Sequence, residues 1–141
     1  MIKIFLIAMG GAIGSLLRYF NQELVDNIIR KGGIFLPKLF SISFGNFPFS
    51  TILINIIGSF VMGIFYFLSV KYFSQINFFI KNFLMIGLIG GYTTFSTFSL
   101  DFFRLYLAGQ YLLAMSYVMM SVFFSLLALF AGFYLTKLII S

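Results

Sequence analysis

The chain has no cysteine, no histidine and no tryptophan among its 141 residues. Without cysteine there are no disulfides and no thiol nucleophiles, and without histidine the commonest zinc ligand and general base are gone. Acid is almost as scarce, with three Asp and Glu against nine Lys and Arg, for a net charge of +6. Most enzyme mechanisms therefore lack their groups, and the chain reads as a non-enzyme. Charged residues make up 9% of the sequence and hydrophobic ones 62%, so a soluble domain would have too little polar surface to cover itself. The solvent that suits this composition is a lipid bilayer. The nine cations are scattered along the chain rather than gathered into a basic stripe, which argues against nucleic acid as a partner and fits anchors at membrane ends.

What is present is a succession of long apolar runs. The first covers residues 2–20, interrupted only by Lys3 and Arg18, both able to snorkel. Its apolar character continues past Gly10 and Gly11 to Leu17, which argues against a cleaved signal peptide. Residues 21–48 hold Glu23, Asp26, Arg30, Lys31, Gly32, Gly33, Pro37, Lys38 and Pro48 and read as an extramembrane connection, whose first part, 21–29, is placed to prolong the first helix. A second run covers 49–70, and a polar bend at 74–77 leads to a third that is uncharged over 82–100. The fourth covers 110–136. Four helices of roughly 20 residues and their loops use up the chain. The expectation is an all-α integral membrane fold forming one domain over 1–141.

The third run differs from the others. It carries Gly87, Gly90 and Gly91, then Thr93-Thr94, then Phe95-Ser96-Thr97-Phe98-Ser99, a string poorly suited to a continuous helix. A membrane tolerates such a break only where it faces protein or a polar cavity. Four spans also fix sidedness. Lys3, Lys71, Lys81 and Lys137 fall on one side, and Arg18, Arg30, Lys31, Lys38 and Arg104 on the other. The near balance gives no orienting bias, so the chain is expected to insert both ways up and to pair as an antiparallel homodimer.

Several constellations invite chemistry. Gly10, Gly11, Gly14 and Ser15 form small-xxx-small pairs on the first helix, read as helix packing. Arg18, four residues beyond Gly14, shares that face and is either an interface anchor, the favoured reading, or an electropositive lure for an anion. Asn55, inside the second span beside Gly58 and Ser59, must satisfy its amide either in an interhelix bond or toward a pore; spacing does not choose. The broken third span would free carbonyls for a cation, while Ser96, Thr97 and Ser99 offer hydroxyls to an anion. Phe95 and Phe98 share a helix face, where their positive ring edges could meet a small anion, against the plain alternative of aromatic packing among 22 Phe. Tyr117, Ser121 and Ser125 recur every four residues along the fourth span and suggest a polar track, although a lone Ser more often bonds its own helix. Asp101 is expected to pair with Arg104.

With these residues in view, the sequence resembles the Fluc or CrcB family of bacterial fluoride channels. The likeness covers nearly the whole chain. It rests on the string from Gly10 to Tyr19, on Asn55-Ile56-Ile57-Gly58-Ser59, and above all on Gly90-Gly91-Tyr92-Thr93-Thr94-Phe95-Ser96-Thr97-Phe98-Ser99. It implies a dual-topology homodimer with two fluoride pores and a structural sodium ion at its centre. It further implies pore positions for Asn55, Phe95 and Phe98, a polar exit at Ser96 and Thr97, and a track at Tyr117, Ser121 and Ser125. Arg18 would stand in the vestibule, Asp101 near the pore, and the carbonyls of Gly90 and Thr93 on the sodium. The loop after the first span looks longer than is usual for the family. Fluoride would leave the cell down its gradient, since no ATP site or coupling machinery is visible.

Two other classes share parts of this pattern. A dual-topology multidrug transporter would need a membrane-embedded carboxylate on the first helix, and none occurs before Glu23. A non-transporting assembly subunit would explain the small-residue faces but leaves the Gly-Thr break and the hydroxyl stripe without a use.

Overall fold

The computed structural model describes residues 1–30, 47–72 and 76–140, with the side chains of 30, 76 and 77 left aside. Lys31, Gly32, Gly33, Pro37 and Lys38 of the first connection, and Ser74 of the second, lie outside the described residues. The architecture is all helical among the described residues, and four helical spans are long and apolar enough to cross a membrane. The first helix is Ile2–Arg30, so residues 21–29 do prolong it. At 29 residues it rises about 44 Å, against about 30 Å of bilayer hydrocarbon. Arg18 consequently sits well inside this helix rather than near its end. The second helix is Phe49–Lys71 and the last is Tyr111–Ile140. Large apolar side chains such as Leu112, Met119, Phe123 and Phe130 stand exposed on the single chain, as suits a protein of the membrane rather than of water.

The third span is interrupted as its composition demands. It begins with Ile76–Phe79, winds as a π-helix over Ile80–Ile89, closes one α-turn at Gly90–Tyr92, and resumes as Phe95–Leu107. Between the last two pieces Thr93 (ψ 158°) and Thr94 (φ −149°, ψ 122°) are extended. β-Branched residues accept that geometry readily. Thr94 also caps the resumed helix, its Oγ1 accepting from the Thr97 N–H at 3.1 Å. The π-helical stretch has no sequence signal comparable to the Gly-Thr break. Within it, Asn82 turns its amide back to donate to the Phe78 carbonyl at 2.7 Å.

Glycines bring the spans together at backbone distance. A Cβ on Gly14 would lie 2.1 Å from the Leu88 carbonyl oxygen, and one on Gly10 2.4 Å from that of Phe83. The small-residue face of the first helix is thus spent on the third span of the same chain. The second and last helices cross in the same way: a Cβ built on Gly63 would collide with the Leu129 carbonyl oxygen, and one on Gly132 with that of Phe60. Gly63→Ala must push these two helices apart, since neither backbone can yield locally. Overpacking of this kind is expected to lower stability by about 1–3 kcal/mol, seen as an earlier thermal transition in detergent. Gly11→Ala, whose Cβ would meet only the Gly87 carbonyl at 4.0 Å, is the control and is expected to melt like the parent.

Candidate functional site

The interruption and Asn55 are one structure. The Thr94 N–H donates to Asn55 Oδ1 at 2.9 Å, and Asn55 Nδ2 donates to the Thr94 carbonyl at 3.1 Å. Both backbone groups of the residue that leaves the helix are thus satisfied by one side chain from the second span, as the membrane interior requires. The amide keeps a second Nδ2 hydrogen that this pair does not use. Of the two readings open for Asn55, the interhelix bond is present, and the residue also borders a cavity.

That cavity, of about 380 Å³, gathers Asn55, Thr93, Phe95, Phe98, Ser121 and Ser125. They come from three spans and include five of the eight residues expected along a pore. The Phe95 and Phe98 rings lie 5.4 Å apart at 39°. Phe95 is 78% exposed and Phe98 only 9%, wedged beneath it on the Tyr117 ring at 5.2 Å. The Ser125 Oγ is buried without a hydrogen-bond partner, an orphan hydroxyl in the membrane-spanning part of the chain. Back-bonding to its own helix, the ordinary use of a Ser here, does not account for it.

The other expected positions fall elsewhere. Tyr117 is fully buried behind Phe98 and donates to the Asp101 carboxylate at 3.5 Å, so it lies off the cavity wall. Ser96 is exposed, its Oγ 3.3 Å from Thr94 Oγ1. Thr97 opens on a second cavity of about 680 Å³ with Thr51, Asp101 and Arg104. There Asp101 pairs with Arg104 at 3.6 Å, as expected, and accepts a 2.7 Å bond from Thr51 Oγ1. Thr51 escaped the sequence reading, although its place one turn before Asn55 puts both on one helix face. The second cavity adds the two remaining acidic residues, Glu23 and Asp26.

Arg18 reaches neither cavity. Its Nη1 donates to the Thr93 carbonyl at 3.5 Å from a half-buried position. The same face of the first helix carries Asn21, whose Nδ2 donates to the Tyr92 hydroxyl at 3.0 Å. The break also strips carbonyls of their helical donors. The Thr94 N–H goes to Asn55 instead of Gly90, and the Thr97 N–H goes to Thr94 Oγ1 instead of Thr93. Gly90 stands on the exposed side of the chain. Two freed carbonyl oxygens are ligands of the kind a hard monovalent cation takes, and the Thr93 oxygen retains a second lone pair beside Arg18.

Residues 5–133 match the family described as CrcB-like protein, Camphor Resistance (CrcB). The chain is 38% identical over its whole length to the fluoride-specific ion channel FluC of Parabacteroides distasonis, covering 98% of that protein. It is 37% identical to the FluC of Azobacteroides pseudotrichonymphae, over 96% of each chain. With the FluC of Flavobacterium psychrophilum it shares 34% identity over 95% of this chain and 96% of that one. A family match over nearly the whole length, relatives that are channels rather than enzymes, and four apolar spans agree: this chain is a multi-pass membrane protein and belongs to the CrcB family.

Proposed function

We propose that this protein is a fluoride channel of the cell membrane, residues 1–141 forming one channel domain that works as an antiparallel homodimer with two pores. The observation that carries the reading is Asn55, locked on Thr94 with one amide hydrogen to spare, at a cavity shared with Phe95, Phe98, Ser121 and the unpartnered Ser125. Fluoride is small and holds its water tightly, so it passes only where several modest donors replace that water in turn. The spare Nδ2 hydrogen of Asn55, the Ser125 hydroxyl and the positive edges of the two Phe rings are donors of that strength. None carries a full charge that would trap the ion. Thr97 and Ser96 would pass the ion on beyond the Phe pair, toward the cavity that holds Asp101. Purified protein in liposomes is expected to release trapped fluoride, read with a fluoride electrode, at a rate far above empty vesicles. Chloride efflux matching fluoride would overturn the selectivity.

The freed carbonyls of Gly90 and Thr93 would hold the structural sodium, two from each subunit at the dimer centre, where the ion would supply charge to join two breaks that no lipid can solvate. Antiparallel pairing rests on the charge balance. The count across the membrane is four Lys and Arg against five, too even to orient the chain. Because the chain has no cysteine, a single one added at the C-terminus or in the first connection reports orientation cleanly. Each is expected to react partly, near one half, with an impermeant maleimide applied to intact cells. Complete labelling at one site and none at the other would end the dual-topology reading.

A further inference from the structure

We infer that Arg18 is a positioning residue for Asn55, acting through the Thr93–Thr94 peptide; the inference rests on the channel reading above. The carbonyl that Arg18 binds and the N–H that Asn55 binds belong to the same peptide unit. Arg18 Nη1 donates to the Thr93 oxygen at 3.5 Å, and the Thr94 N–H donates to Asn55 Oδ1 at 2.9 Å. A peptide unit is planar and trans, so holding its oxygen sets the direction of its N–H. Here that unit belongs to neither flanking helix, because Thr93 and Thr94 are both extended. A guanidinium on the oxygen also polarises the unit and makes its N–H the better donor. Asn55 then has no choice of orientation. Its oxygen must face the Thr94 N–H and its nitrogen the Thr94 carbonyl, which leaves the spare Nδ2 hydrogen as the group available at the cavity.

Elements of the first helix are arranged for this reach. Gly14 seats the helix against the Leu88 carbonyl and the Tyr92 nitrogen, Arg18 follows one turn later, and Asn21 ties down the Tyr92 hydroxyl. Positions 14, 18 and 21 form one helix face. A snorkelling anchor would extend its charge into the headgroups, whereas Arg18 is half-buried and directs its guanidinium onto a backbone carbonyl of the third span. It lines neither of the two cavities described above, and its contact toward Asn55 is the Thr93 carbonyl.

The test pairs fluoride efflux from liposomes with hydrogen exchange, comparing the parent, Arg18→Gln and Arg18→Lys. Arg18→Gln is expected to slow fluoride efflux about tenfold, the worth of one hydrogen bond to a charged donor, while Arg18→Lys recovers most of the rate. Exchange at the Thr94 amide is expected to quicken by about the same factor in Arg18→Gln, with the amides of the Tyr111–Ile140 helix unchanged. A merely structural role would quicken exchange in both places or in neither. Parental efflux in Arg18→Gln, or slowed efflux with Thr94 exchange unmoved, overturns the inference. A parent that moves no fluoride would instead defeat the channel reading, and the exchange comparison would still decide whether Arg18 holds the peptide.

Discussion

Asn55→Asp is expected to abolish fluoride flux while the four-helix fold survives. The substitution is nearly isosteric, yet it replaces an NH₂ donor by an oxygen. Oδ1 could still accept from the Thr94 N–H, but the new oxygen would face the Thr94 carbonyl, now 3.1 Å from Nδ2, acceptor against acceptor. The spare hydrogen proposed to meet the ion vanishes as well, and a carboxylate at that place repels an anion. Leaving the Thr94 carbonyl unpaired costs on the order of 1–3 kcal/mol of stability, while the lost donor and the added negative charge act on the ion itself and take flux to the level of empty vesicles. Efflux from liposomes measures it, with circular dichroism and gel filtration to establish that the variant is folded. Flux at the parental rate would remove Asn55 from the ion's path.

Phe95→Ile and Phe98→Ile separate ring-edge coordination from aromatic packing. Isoleucine keeps most of the apolar bulk but has no positive ring edge, so coordination predicts a loss of at least about tenfold at each site. The packing alternative makes unequal demands on the two. Phe98 is wedged between the Phe95 and Tyr117 rings, so its replacement also loses contacts worth up to about 1.5 kcal/mol. Phe95 is 78% exposed in the single chain and loses little. A collapse of flux in Phe95→Ile with an unchanged melting temperature is therefore the result that packing within one chain cannot produce. Phe130→Ile serves as control. That ring is 56% exposed, stacks on Tyr134 and is not part of the cavity wall, so its flux should stay close to the parent's. Equal flux in all three variants would end the ring-edge proposal.

Much of this molecule was legible in its residues because the properties concerned are local. An apolar run long enough to span a bilayer declares itself by length, and Gly90-Gly91 followed by Thr93-Thr94 declares the break, since helix propensity and β-branching act on their own backbone. Asn55 stood out because an amide so deep in an apolar run must have a partner. What composition and spacing left open was the partner's identity. Whether Asn55 bonds another helix or faces a cavity depends on where the second span meets the third, which is decided by packing such as that of Gly58 against the Thr93 side chain. The hydroxyl stripe of the last helix is divided in the structure. Ser121 and Ser125 border the cavity, while Tyr117 lies behind Phe98 and belongs to Thr51 and Asp101.

By itself, then, the sequence determined that the chain lives in lipid, crosses it four times, and breaks its third crossing within 90–99, and the structure put that break at Thr93 and Thr94. Only the tertiary structure decided that Arg18, far from any helix end, meets the Thr93 carbonyl 75 positions away, and that Thr51 closes on Asp101 across 50. The physical reason is that hydropathy and backbone propensity are sums over neighbours along the chain. A hydrogen bond between spans instead depends on the rotation, depth and crossing of two helices, which are set by where glycines let their backbones touch.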